Sequence, residues 1–105
     1  MMHAHVFFDL NAREQALALQ QQLQLQWPAG IEVGPLLLRA AGPLPQPMFQ
    51  IAYDEEHAER VREVLQTTRG DFSVLIHPVL EDEILAHTEK ATWLGMPLLL
   101  RLEYL

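Results

Sequence analysis

Two strand-like alternations each run directly into a helical stripe, and these two strand-to-helix transitions limit the possible folds more than any other feature of the chain. The first begins at "HAHVFFD", residues 3–9, which alternate over a β-rich run. Ala12, Ala16, Leu19 and Leu23 follow at i, i+4, i+7 and i+11, one stripe of a helix near 12–26. Asn11, with Glu14 three residues later, has the spacing of a capping box. The glutamine-rich "LALQQQLQLQ" keeps the stripe, and "WPAG" ends it. The second transition is "MFQIAY" followed by "DEEHAERVREVLQTTRG". Asp54 is placed to cap a helix near 54–68, Ala58, Val61 and Leu65 form its buried stripe, and Gly70 is placed to terminate it.

The remaining pieces fit around these two. "IEVGPLLLRAAG" predicts a strand whose Gly34 and Pro35 imply a bulge or an edge position. "FSVLIHP" predicts a fourth strand, "EDEILAHTEKA" a short helix or structured turn, and "PLLLRLEYL" a final strand. The order β-α-β-β-α-β plus a tail predicts an α+β, ferredoxin-like (split β-α-β) antiparallel sheet, with two helices on one face and an added C-terminal strand. At 105 residues the chain is expected to form a single domain, residues 1–105.

Composition narrows the functional classes. Half the residues are hydrophobic, and 14 acidic against 7 basic residues give a net charge of −7 with no Lys/Arg cluster, so no nucleic acid is expected as partner. Without cysteine, disulfides, thiolate metal sites and a Cys nucleophile are excluded. No apolar run approaches the ~20 residues of a membrane span, and the start of the chain lacks the pattern of a signal peptide. No membrane partner and a cytoplasmic location are therefore expected.

The chemistry lies in the histidines. Strand parity puts Ala4, Val6 and Phe8 on one face and His3, His5 and Phe7 on the other. In the split β-α-β order the first and fourth strands are antiparallel neighbours, so the start of one meets the end of the other. His77 then joins His3 and His5 on the face away from the helices, and His87 is ten residues on, within reach of a turn folding back. Clustered imidazoles with open positions suit Zn, Fe(II) or Mn(II). Asp9, Glu81, Asp82 and Glu83 are the candidate carboxylates, and spacing does not choose among them. His57 reads as solvated surface, and Trp27 and Trp93 read as core or interface. The face opposite the helices carries Phe7 and Leu75 beside the polar site, and the leucine-rich tail adds apolar surface. Together these predict a homodimer.

Four segments, "HAHVFFD", "GPLPQPMFQIAY", "SVLIHP" and "HTEKATWLGMPLLL", in this order and spacing, resemble the small bacterial and fungal proteins of the DOPA 4,5-dioxygenase family over nearly the whole chain. The resemblance implies a dimeric ferredoxin-like protein. It also implies a mononuclear non-haem Fe(II), with Zn or another divalent ion as a substitute, that cleaves a catechol-like aromatic beside its hydroxyls with O2. By motif, His5, His77 and His87 are the implied metal ligands, and His3, His87 and Gln50 the implied catalytic groups, with Tyr53 in the same segment as Gln50. The chain also departs from the pattern. Leu44 stands where the family's "G-P-H-P" has its histidine, Ala86 where an acid commonly precedes "H-T", and Leu37 near where another histidine often occurs. These departures leave two readings open: an extradiol dioxygenase, or a catalytically inactive dimeric relative binding a small ligand in the same pocket.

Overall fold

A computed structural model covers residues 1–105. Its strands are β1 (Met2–Phe7), β2 (Ile31–Val33), β3 (Met48–Tyr53), β4 (Val74–Pro78) and β5 (Thr92–Leu94). Its helices are α1 (Arg13–Gln26), α2 (Ala58–Thr68) and α3 (Glu83–His87). The strands form one antiparallel sheet in the order β2-β3-β1-β4-β5. The first four follow the ferredoxin-like order, and β5 extends the sheet beyond β4.

Both long helices lie on one face, as the stripes predict. Leu19 and Leu23 of α1 and Val61 and Leu65 of α2 pack with Ala4, Val6, Phe49, Ile51, Val74 and Ile76 in one buried cluster. Register explains why these strand residues share a face: Ala4 is opposite Ile51 and Ile76, and Val6 is opposite Phe49 and Val74. Gln20 is also buried, because its amide donates to the carbonyl of Gly34 at 3.0 Å and ties α1 to the end of β2.

Several expectations are corrected. The Asn11–Glu14 capping box does not form: Leu10–Ala12 make a 3-10 turn, so Asn11 sits inside a turn and Asp9 occupies the cap position without a side-chain bond. Asp54 likewise precedes a 3-10 turn, Glu55–His57, and caps through no side-chain bond. The strand expected from Ile31 onward stops at Val33 and lies at the sheet edge. Gly34 still bonds to Gln50, the ladder then lapses, and one bridge re-forms at Leu37 with Met48. Pro35 has no N–H to continue the ladder. His57 is only partly solvated: its side chain is 23% exposed and packs beside Gly30.

The final strand, "PLLLRLEYL", is also absent. The edge of β4 that it would have joined is already taken by β5, with Val74 paired to Leu94 and Ile76 to Thr92. The tail instead crosses the sheet face away from the helices. Leu98 and Leu100 are half-buried against Phe7, Leu44, Met48 and Leu75, while Leu99 is 90% exposed. Phe7 and Leu75 are therefore buried within one chain, 2% and 0% exposed, and the open apolar face invoked for a homodimer does not exist. Trp93 joins this second cluster and stacks on Phe7 with ring centroids 5.9 Å apart.

Candidate active site

The covered face is apolar at one end and polar at the other, because strand parity is kept while the residue types change. Along β1 it reads Phe7, His5, His3; along β4 it reads Leu75, His77; along β3 it reads Met48, Gln50. His3 pairs directly with His77, and His5 pairs with Gln50 and Leu75. The histidine end opens into a pocket of about 230 Å³.

His5 and His77 are almost fully buried, 3% and 4% exposed, with their Nε2 atoms 3.0 Å apart and their rings stacked. His77 Nδ1 donates to the carbonyl of Pro78 at 2.8 Å, which fixes its tautomer and turns the Nε2 lone pair toward His5. In the neutral pair His5 Nε2–H donates to that lone pair, and His5 Nδ1 is left buried without a partner. The ring nitrogens of His3, His5 and His77 lie within 4.8 Å of one another, and no carboxylate oxygen joins the group.

Burial disfavours the charged imidazolium, and crowding by neighbouring rings adds to it. Burial is the main cause that holds His5 well below its ordinary value, with His77 the next contributor. Burial also lowers His77 to about 4, against the opposing effect of its bond to Pro78. His3 is lowered as well, again first by burial. Neutral imidazoles crowded into one space form a donor set for a divalent cation once the proton on His5 Nε2 moves to its unpartnered Nδ1 and frees that lone pair.

His87 reaches the site from α3. Its ring centroid is 4.1 Å from that of His77, and its Nδ1 donates to the Glu83 carbonyl one turn earlier at 2.7 Å, leaving Nε2 available to the pocket. α3 is held in place by Asp82, whose carboxylate accepts from the Leu85 N–H at 2.9 Å. Gln50 and Leu44 both line the pocket, and Leu44 is only 6% exposed. Ala86 lines it too, whereas Leu37 does not. Of the four candidate carboxylates, Glu83 alone faces the pocket. Its i, i+4 spacing from His87, which puts both on one side of a helix, was the signal that could have singled it out. Pro43, Leu80 and Leu105 also line the cavity and had no sequence signal; loops and the tail bring them in, and neither has a period to read.

Comparison with known proteins bears on the family and the fold. The sequence signature of the Dopa 4,5-dioxygenase family matches residues 2–104. A DOPA 4,5-dioxygenase of Amanita muscaria is 29% identical over 100 residues, which are 89% of this chain. The chain spans less than half of that relative, 44% of its length. A crystal structure from Nostoc punctiforme, described as a "putative dioxygenase", superposes with a TM-score of 0.90 at 29% identity, covering 98% of this chain and 88% of the other.

Proposed function

This chain belongs to the Dopa 4,5-dioxygenase family, and on that premise we propose that it is a metal-dependent extradiol dioxygenase acting on a catechol-like aromatic with O2. The observation that carries the reading is the cluster of His3, His5 and His77 nitrogens at the floor of a pocket. At about 230 Å³ the pocket is smaller than the ~300–1,000 Å³ typical of drug-sized ligands, which suits a single aromatic ring.

The donor set fits an ion. His3, His5 and His77 would hold it through one ring nitrogen each, nitrogens that already lie within 4.8 Å of one another. Imidazole nitrogens without thiolates would accept Fe(II), Zn(II) or Mn(II), and we propose Fe(II) because the chemistry needs a redox-active ion. When bound, such an ion supplies the redox-active Lewis-acid centre at which a deprotonated catechol and O2 meet. His77 is held by Pro78 with Nε2 presented, as metal-ligating imidazoles commonly are held by a backbone carbonyl. The nitrogen distances favour His3 with His5 and His77 as the holding set, and leave His87 for proton handling. His87 Nε2 takes the catechol proton, and the Gln50 amide, opposite His5 on β3, orients the ring. The apolar wall of Leu44 and Ala86 excludes water from the reacting edge.

Ring opening consumes one O2 per catechol, places both oxygen atoms in the product and leaves a coloured semialdehyde acid. The test is O2 uptake and product absorbance by protein loaded anaerobically with Fe(II), offered a panel of catechols. The expected result is uptake and ring-opened product in equal amounts, lost in His5→Ala and His77→Ala. No uptake with any catechol, together with less than stoichiometric metal, would sink the reading.

Leu44 favours a second reading. By the sequence resemblance it stands where the family motif has a histidine, and it is buried in the apolar cluster with Phe7, Met48 and Leu75. An inactive relative that binds a small aromatic without redox chemistry would show ligand binding without O2 uptake, and Leu44→His would raise metal affinity.

A further inference from the structure

The mouth of the pocket differs in charge from what an acidic substrate needs. No lysine or arginine lines the cavity. Its inner end is imidazole and aliphatic wall, and its rim is Val79 and Leu80, 47% and 39% exposed, with the carboxylate of Glu83. Glu81 and Asp82 precede Glu83, so three consecutive acids lie on the segment that forms the rim, in a chain of net charge −7. Arg101 stands behind the wall but is directed elsewhere. Its Nη2 reaches the Leu44 carbonyl at 3.4 Å, and its guanidinium lies 5.2 Å over the Tyr104 ring.

We infer that this pocket selects catechols whose ring substituent is cationic or uncharged, and rejects those whose substituent is a carboxylate, with Glu83 as the specificity-determining residue. The inference rests on the ring-cleavage reading of the same site. A catechol whose hydroxyls enter toward the buried histidines must point its 4-substituent at the rim. There an ammonium meets the Glu83 carboxylate and an aliphatic group meets Val79 and Leu80. A carboxylate meets a like charge and no donor cation. At an exposed rim such a contact is screened, so the discrimination expected is about two- to fivefold in each direction and not absolute.

The test uses the full chain under argon, with binding followed by calorimetry so that turnover is not required. The ligands are 4-(2-aminoethyl)catechol, 4-methylcatechol and 3,4-dihydroxyphenylacetate. The expected order of affinity is amine, then methyl, then acid. In Glu83→Gln the amine loses its advantage over methyl, and in Glu83→Lys the acid overtakes the amine. The substitutions leave the Glu83 carbonyl that holds His87 in place, and circular dichroism checks the fold. Equal or tighter binding of the acid by the wild-type protein overturns the inference, as does an order unchanged in Glu83→Lys. Should the acid bind best and lose that lead in Arg101→Gln, Arg101 is the counter-ion and Glu83 is not the selector. If no catechol binds at all, the ring-cleavage reading falls and the inference falls with it, an outcome distinct from indiscriminate binding.

Discussion

Acidification probes the buried histidines directly. His77 is 4% exposed, and burial lowers it to about 4 from the 6.5 it has in an unfolded chain. The unfolded state therefore binds more protons than the folded state between those values. Stability is fully present above about pH 6.5, falls as the pH drops through that window, and levels off below about 4 as far as His77 is concerned. At pH 5 the unfolded imidazole is almost wholly protonated and the folded one is not. The difference is at most about 2 kcal/mol from His77 alone, at 1.36 kcal/mol per pKa unit, and less to the extent that water in the pocket screens the ring. His5, which burial holds well below its ordinary value, acts in the same direction as the pH falls below about 6.5. Against a total stability of about 5–15 kcal/mol, this is a large fraction. With a urea slope of about 1–3 kcal/mol/M, the unfolding midpoint of chelator-treated protein should fall by about 1 M between pH 7 and pH 5. In His5→Leu/His77→Leu most of that fall should vanish. A midpoint equal at both pH values, or a fall that persists in the double variant, would show that these rings are not held neutral by the fold.

Three further outcomes are expected. His3→Ala, His5→Ala and His77→Ala should each weaken Co(II) or Zn(II) binding at least tenfold by calorimetry, while His57→Ala, whose ring packs beside Gly30 and does not line the pocket, leaves it unchanged. Gly70 ends α2 at φ +57°, and a methyl group added there would meet nothing within 4 Å, so Gly70→Ala should cost only the backbone term, about 1 kcal/mol in urea unfolding. Leu98→Asp/Leu100→Asp should uncover Phe7 and Leu75, giving dye binding and a stability loss of several kcal/mol; native-like unfolding would mean that the tail is not a second core.

The order of the elements was readable because each transition carried its own period. The alternation at His3–Phe8 and the stripe Ala16, Leu19, Leu23 are set by side chains that must be buried, and both keep that burial in the fold. The meeting of His5 with His77 was readable for the same reason: parity fixed the face and antiparallel pairing fixed the end. What escaped depended on competition between distant segments. "TWL" has strand-favouring residues but is too short to show an alternation, yet it pairs with β4 and the longer tail stays out of the sheet. Asn11 and Glu14 have capping spacing, but a 3-10 turn begins one residue earlier and absorbs Asn11. His57 is only 23% exposed, and its ring lies so close to Gly30, across the fold, that a Cβ there would come within 3.1 Å of its Nε2.

The displaced tail also links the second core to the site. Leu98 and Leu100 close the apolar end of the sheet face away from the helices, and Leu105, from the same segment, lines the polar end. Between the two ends stands the loop carrying Pro43 and Leu44, tied to the tail by the Arg101 N–H donating to the Pro43 carbonyl at 2.8 Å. Leu44 belongs to both sides: it packs on Phe7, Met48 and Leu75 and walls the pocket. A histidine at this position would have to leave the cluster or bury a polar ring within it, and an unpartnered buried polar group costs about 1–3 kcal/mol. Leucine at position 44 therefore strengthens the second core at the same place where it keeps the pocket wall apolar, so stability and site chemistry are coupled through one side chain.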